Sequence, residues 1–343
     1  MPSPRDKTPF DSATPAAPLG EFGRIARFFK PLAAGFPGAR GLADDAAVFG
    51  VPPGHELVVT TDAMVAGVHF LPGDPPADIA AKLLRVNLSD LAAMGARPYA
   101  YSLVTSLPRD IGDDWLAAFA GSLAADQREF GIHLSGGDSV STSGPMTLSV
   151  TAFGLVPAGR ALPRRSERPD DPVFVTGTIG DAALGLKVVL EGLEVADEAA
   201  RAHLVRRLRR PDPRSSVGPR LPGLAVSCLD VSDGLVADLA HLCEESGRAA
   251  VIRAGSVPLS PAARALVDRD PALLATALTG GDDYELLFTA PEEARDALRA
   301  LSEETDVPIT EIGRMAEGPA GQVTVLDGEG NVLPLSARGW VHF

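Results

Sequence analysis

Lys82-Leu83-Leu84-Arg85-Val86-Asn87-Leu88-Ser89-Asp90-Leu91-Ala92-Ala93-Met94-Gly95 is the stretch on which the fold turns. Its neighbours are nearly all apolar, so a helix here is mostly buried. Asp78 stands at its start as cap or first-turn acid and Gly95 stops it, which sets a helix over Asp78 to Gly95. Asn87 and Asp90 are three residues apart and share one helix face. A carboxylate in so apolar a setting is costly unless its charge is offset. No base on the same face offers a partner; a metal ion would.

Outward from that helix, acids recur wherever a strand, a Gly-rich turn or a helix presents them. The runs are Ala43-Asp44-Asp45-Ala46-Ala47, Thr60-Thr61-Asp62, Gly136-Gly137-Asp138, Asp230-Val231-Ser232-Asp233 and Gly280-Gly281-Asp282-Asp283. Carboxylates gathered in one place repel unless cations sit between them. Ligands that are all oxygen suit Mg²⁺, which in proteins usually serves bound phosphates. The pattern points to an enzyme that handles a nucleotide through metal ions.

Each run also has a plainer use. Asp44 and Asp45 suit a turn or cap, and Gly-Gly-Asp is an ordinary turn as well as a close approach for phosphate. Ser232 is placed to cap a helix from Leu235. His69, in Gly67-Val68-His69-Phe70, is as readily a satisfied imidazole as a site group. The aromatic end Gly339-Trp340-Val341-His342-Phe343 suits core closure or stacking on a flat ligand.

The bulk properties narrow the class. The 343 residues suit two domains, and 45% hydrophobic with 22% charged residues is ordinary for a globular chain. A net charge of −14 disfavours a nucleic-acid partner. The densest basic run, Arg206-Arg207-Leu208-Arg209-Arg210, fits a helix end where Arg is solvated or favours the dipole, with an interface or phosphate role as the alternative. Cys228 and Cys243 in apolar contexts fit free thiols in a reducing cytoplasm. No run approaches the roughly 20 apolar residues of a membrane span. Residues 1–19 read as a disordered, Pro-rich tail without a signal-peptide core.

Periodicity sets an amphipathic helix over Glu21 to Lys30, stopped by Pro31. Strands follow at Val58 to Thr61, ending at Asp62, and at Tyr99 to Leu107, Leu134 to Asp138 and Met146 to Val156, with a helix over Asp113 to Phe130. A Pro/Arg/Gly-rich stretch from Pro157 to Pro172 marks a boundary between residues 20–157 and 158–343. Beyond it come strands at Val173 to Thr176, Val226 to Val231 and Tyr284 to Thr289. Helices are expected over Asp181 to Glu191, Ala199 to Arg210, Leu235 to Ser246, Leu273 to Leu278 and Pro291 to Glu304. Gly321 to Leu333 reads as a hairpin. The fold class is α/β (α+β) in two domains.

P-loop, protein-kinase, H-E-x-x-H and G-x-S-x-G signatures are all absent. Phosphates bound here would be held by Mg²⁺, turn amides and a few Arg residues.

Taken in order, Thr60-Thr61-Asp62, Gly67-Val68-His69-Phe70, the Val86 to Gly95 helix, Asp230-Val231-Ser232-Asp233-Gly234-Leu235, Gly280-Gly281-Asp282-Asp283-Tyr284-Glu285-Leu286 and the Gly339 to Phe343 end resemble the thiamine-monophosphate kinase family. That family lies in the ATP-binding superfamily of aminoimidazole ribonucleotide synthetase. The resemblance implies a homodimer paired through N-terminal mixed sheets, in the cytoplasm, that converts ATP and thiamine phosphate to ADP and thiamine diphosphate. It implies Asp45, Thr60, Thr61, Asp62, Asp90, Asp138, Asp230 and Asp233 as Mg²⁺ ligands, with Asp62, Asp90 and Asp230 central to catalysis. It implies Gly137, Asp138, Arg164 and Ser232 as ATP contacts, and His69, Asp282 and Trp340 as thiamine-phosphate contacts. Asp282 stands where the family commonly has Glu, Ala43 where it has Gly, and Ala120 where some relatives place an aromatic against ATP. The other readings are a superfamily enzyme with a different acceptor, and a non-catalytic metal-binding protein.

Overall fold

The computed structural model of the protein describes residues 19–166, 168–335 and 339. The expected tail up to residue 18 and the aromatic end with Trp340 lie outside the described residues. The chain enters as one helical rod of changing pitch. It runs as α1 (Glu21–Arg24), then π-helical turns over Ile25–Phe29, then 3-10 turns over Lys30–Ala33. Pro31 therefore does not stop it. A proline lacks only an N–H and is accepted in the first turn of a new helical segment. The change of pitch brings Phe28, Phe29, Leu32 and Ala33 all into the core.

The first domain runs β1 (His55–Val65), α2 (Pro76–Ala93), β2 (Arg97–Pro108), α3 (Asp113–Phe130), β3 (His133–Thr142) and β4 (Thr147–Pro157). Its sheet order is β1-β4-β2-β3; β2 and β3 are parallel, the other neighbours antiparallel. β1 outruns its expected end. Ala63, Met64 and Val65 keep the alternation and the pairing with β4, so Asp62 lies inside the strand.

The second domain runs β5 (Pro172–Thr176), α4 (Asp181–Leu190), α5 (Glu198–Arg209), β6 (Ser227–Asp230), α6 (Leu235–Ser246), β7 (Ala249–Arg253), α7 (Pro261–Arg269), α8 (Leu273–Thr279), β8 (Leu286–Thr289), α9 (Arg295–Thr305), β9 (Ile309–Ala316) and β10 (Val323–Leu326). Its sheet order is β10-β7-β9-β5-β8-β6. The sequence reading passes over β7, α7 and β9, whose apolar runs are too short for periodicity to decide. The expected hairpin over Gly321 to Leu333 is short: the chain turns through 327–331, with the Asp327 N–H donating to the Asn331 carbonyl at 2.9 Å and the Leu333 N–H to the Val325 carbonyl at 2.8 Å on either side of the Leu326–Val332 bridge. The main ladder of β10 is a parallel one with β7. An open sheet edge offers a full ladder, whereas a lone two-stranded ribbon is marginal.

α2 is the wedge between the domains. It packs on β1, β4 and α3 of its own domain and on α5, β6 and β8 of the other. Leu83, Leu84, Leu88 and Leu91 are fully buried, and so are Asn87 and Ser89, with Lys82 and Arg85 nearly so. The buried Arg85 is met by Asp126 of α3, which accepts two hydrogen bonds at 2.9 and 2.8 Å. The Pro211 carbonyl and Glu129 each accept one more, both at 3.2 Å. The basic run is likewise no solvated helix end. Arg207 is 2% exposed and bonded to Glu285 at 2.9 Å, while Arg209 and Arg210 pair with Asp74 and Asp78 at the start of α2. Arg209 and Arg210 thus spend their charge in joining the domains, while Arg207 is held within the second domain by Glu285 and Asp212.

Asp126→Ala leaves the Arg85 guanidinium buried with half its partners gone. Its expected cost is about 3–5 kcal/mol of unfolding free energy, read by chemical denaturation beside the wild type; a cost under about 1 kcal/mol is what an exposed pair would show.

Candidate active site

The face of β1 that carries Thr60 and Asp62 meets the helix face that carries Asn87 and Asp90. Strand and helix periods bring these four together, since residues i and i+2 share a strand face and i and i+3 a helix face. The Thr60 hydroxyl donates to Asp90 Oδ2 at 2.6 Å. β1 is an edge strand, so alternate N–H groups have no ladder partner; that of Asp62 donates to Asn87 Oδ1 at 3.2 Å. Asn87 in turn donates to the Leu83 carbonyl at 2.9 Å, which satisfies both ends of a fully buried amide.

Asp230 enters the same place from the end of β6. Burial raises its pKa well above the ordinary range, and the charges of Asp90, Asp238 and Asp62 push the same way. Asp62 is pushed up to about 6 by burial, then by the neighbouring charge of Asp90 and a hydrogen bond to it. Asp90 is raised by burial, against the Thr60 hydroxyl and the charge of Arg164. Asp90 thus has partners after all, supplied by a strand and a loop rather than by its own helix. The Ser89 hydroxyl lies close enough to Asp230 to lower its pKa somewhat, yet makes no hydrogen bond of ordinary geometry. Mutually repelling carboxylates beside a buried, unsatisfied hydroxyl form an all-oxygen donor set, which fits a hard divalent cation. Among the described residues no three acidic, His or Cys side chains close on one point as a finished cage. Mg²⁺ needs only one or two carboxylates when phosphate oxygens and water complete its shell.

The second domain adds two loops that are zipped together by their backbones. Asp282 donates its N–H to the Ser232 carbonyl at 2.9 Å, and Tyr284 to the Val231 carbonyl at 2.8 Å. A Cβ on Gly281 would stand 2.1 Å from the Ser232 oxygen, so glycine is required there. Asp282 and Tyr284 both hold left-handed backbone, at φ 72 and φ 53. Ser232 caps nothing. Asp238, one turn inside α6, folds back and accepts the Asp233 and Gly234 N–H groups at 3.0 Å each.

His69 follows β1, and its Nδ1 accepts the Val65 N–H at 3.1 Å, which leaves the ring proton on Nε2. Lys82 was missed in the sequence. Its Nζ donates to the His69 carbonyl at 3.1 Å and to Asp282 Oδ2 at 2.9 Å, tying both loops to α2. The available signal was one of only four lysines, set in an apolar helix.

The remaining residues lie elsewhere. Asp45, Gly137 and Asp138 line a cavity of about 340 Å³ against β3 and the entering rod, away from Asp62, Asp90 and Asp230. β3 is the edge strand opposite β1, three strand spacings across the sheet. A Cβ on Gly137 would stand 1.8 Å from the Leu103 oxygen. By register, Asp138 shares a rung with Val104 and Ser149, on the sheet face turned away from α2. Thr61 is on that outer face too, its hydroxyl 2.9 Å from that of Thr151, and Ser102 continues the rung. Ala120 is buried in α3.

Comparison with known proteins agrees with this two-domain layout. The AIR synthase related protein, N-terminal domain, matches residues 43–156, and the C-terminal domain of the same family matches residues 168–326. The chain is 42% identical over 327 residues to the thiamine-monophosphate kinase of Salmonella typhimurium, covering 94% of this chain and 98% of that protein. Among solved structures it is similar to thiamine-monophosphate kinase from Stenotrophomonas maltophilia K279a, with TM-score 0.77 and 44% identity over 85% of this chain and 91% of that one. It is also similar to AaThiL complexed with AMPPCP and TMP, with TM-score 0.75 and 31% identity over 95% of this chain and 97% of that one.

Removing the charge of Asp90 relieves Asp62. In metal-free Asp90→Asn, the Asp62 carboxyl is expected to titrate below its wild-type value of about 6, as read by carboxyl-carbon NMR. An unmoved titration would mean that the two side chains do not interact.

Proposed function

The chain belongs to the AIR synthase related family and within it to the thiamine-monophosphate kinases, and from that membership we infer that it transfers the γ-phosphoryl group of ATP to thiamine phosphate, giving ADP and thiamine diphosphate. The observation that carries the site is the convergence of Asp62, Asp90 and Asp230 from a strand and a helix of one domain and the end of a strand of the other, at raised pKa.

The acceptor is a phosphate monoester whose second pKa is near 6, so at neutral pH it is already an anion and needs no general base. We propose direct in-line transfer without a phosphoenzyme. The obstacle is repulsion between two anionic substrates in an acidic pocket. Mg²⁺, when bound, would supply positive charge between the phosphates. Thr60, Asp62, Asp90, Asp230 and Asp233 would hold it at the domain junction, Thr61 on the outer face of β1, and Asp45 and Asp138 toward the opposite sheet edge. Gly137, Asp138, Arg164 and Ser232 would position ATP. Residues 20–157 thus carry the nucleotide, and residues 158–343 complete the acceptor site. His69, through Nε2–H, and Asp282 orient thiamine phosphate, and Trp340 stacks on its cationic ring.

The outer face of the first sheet exposes Val59, Val104 and Val140 at 53%, 43% and 47%. These valines are the exposed apolar part of that mixed face, and we propose that two copies pair through it, in the cytoplasm. No helix among the described residues is long and apolar enough to cross a membrane.

Thiamine diphosphate should form from Mg²⁺-ATP and thiamine phosphate, assayed by chromatography. Asp90→Ala should lower turnover by about 10²-fold or more, the scale of a lost electrostatic group, with circular dichroism unchanged. Trp340→Ala should raise KM for thiamine phosphate more than for ATP. Near-normal turnover in Asp90→Ala would sink the assignment.

Sedimentation equilibrium should give twice the chain mass, and Val104→Asp should shift it toward the monomer. A wild-type monomer at all concentrations would reject the dimer.

A further inference from the structure

Lys82 has no place in the scheme above, yet its ammonium group sits between two of the proposed acceptor contacts. Its side chain is 6% exposed, and Nζ donates to the His69 carbonyl and the Asp282 carboxylate, residues from loops of different domains. A buried ammonium needs a counter-charge and hydrogen-bond acceptors. Here Asp282 provides the counter-charge. Its side chain is 33% exposed, and its other oxygen accepts the Tyr284 hydroxyl at 3.2 Å. Asp282 therefore keeps a hydrogen bond and access to water if it leaves Lys82. Its left-handed backbone is an uncommon conformation for a residue other than glycine. Acids otherwise dominate the surroundings. Tyr284, half-buried beside Asp282, lies within reach of the charges of Asp282, Asp230 and Asp62.

We propose that Lys82 receives the phosphate group of the acceptor, exchanging its bond to Asp282 for one to that phosphate. A phosphate presents three acceptor oxygens and up to two charges, so it replaces the carboxylate as counter-ion in kind. The His69 carbonyl holds Nζ in place during the exchange. Lys82 is then the group by which the site distinguishes thiamine phosphate from unphosphorylated thiamine. The inference rests on the phosphotransfer reading above and adds a residue to its acceptor side.

The test is calorimetric binding of thiamine phosphate and of thiamine to the full chain. Wild type should prefer thiamine phosphate. Lys82→Met should weaken thiamine phosphate by about 10–100-fold, the worth of one charged hydrogen bond, and leave thiamine within about 2-fold. Asp282→Asn, which keeps the ammonium, should retain the preference. The double variant Lys82→Gln with Asp282→Asn leaves no unpaired buried charge, so it guards against misfolding of the single variant; it should lose the preference. A preference that survives in both Lys82 variants, or an equal loss of both ligands, overturns the proposal in favour of a purely structural clasp. A wild type that turns over thiamine phosphate but fails to prefer it also overturns the proposal. A wild type that neither binds nor turns over thiamine phosphate overturns the functional reading itself.

Discussion

A helix covered from every side cannot leave a polar group to the solvent, and the arrangement of this protein follows from that constraint on α2. Its leucines secure it between two sheets, but Lys82, Arg85, Asn87 and Ser89 go in with them, and Asp90 lies half-buried at their border. Each must find a partner in the protein or remain costly. Arg85 takes Asp126 and the Pro211 carbonyl, Asn87 takes the open edge of β1, and Lys82 takes the loops of His69 and Asp282. The same bonds that satisfy the helix lock the domains and place the site.

Asp90 and its neighbours are satisfied only in part. Thr60 and the charge of Arg164 favour the ionised form of Asp90, while burial and the nearness of Asp62 and Asp230 oppose ionisation across the group. Rigid elements hold these acids at a distance that a folding chain without function would relax. Such tension is characteristic of a site built to receive positive charge. The backbone zipper between Ser232 and Asp282 has the same character, since it demands Gly281 and two left-handed non-glycine residues to bring carboxylates and carbonyls close.

Much of this was legible along the chain. The apolar run from Leu83 to Ala93 announces a buried helix, and the periodicities of Asp113 to Phe130 and Leu235 to Ser246 match the observed α3 and α6 at both ends. Long amphipathic segments carry enough repeats to fix their period. Short ones do not, which is why Ala249–Arg253 and Ile309–Ala316 are not legible as strands, nor the parallel pairing of β10 with β7. Arg209 and Arg210 at the end of α5 read as a solvated helix end because the acids that take them, Asp74 and Asp78, lie far earlier in the chain.

The residue types and their order were sufficient to identify oxygen-rich acidic motifs, a buried helix bearing Asn87 and Asp90, and the family to which these belong. Which acids meet was decided in three dimensions. Strand alternation turns Asp62 toward α2 and Thr61 away from it, and sheet order sends Asp138 to the far edge. Lys82 becomes a site residue only because a loop 200 positions later folds over it. Local sequence encodes period and chemistry, whereas the proximity of distant groups is a property of packing.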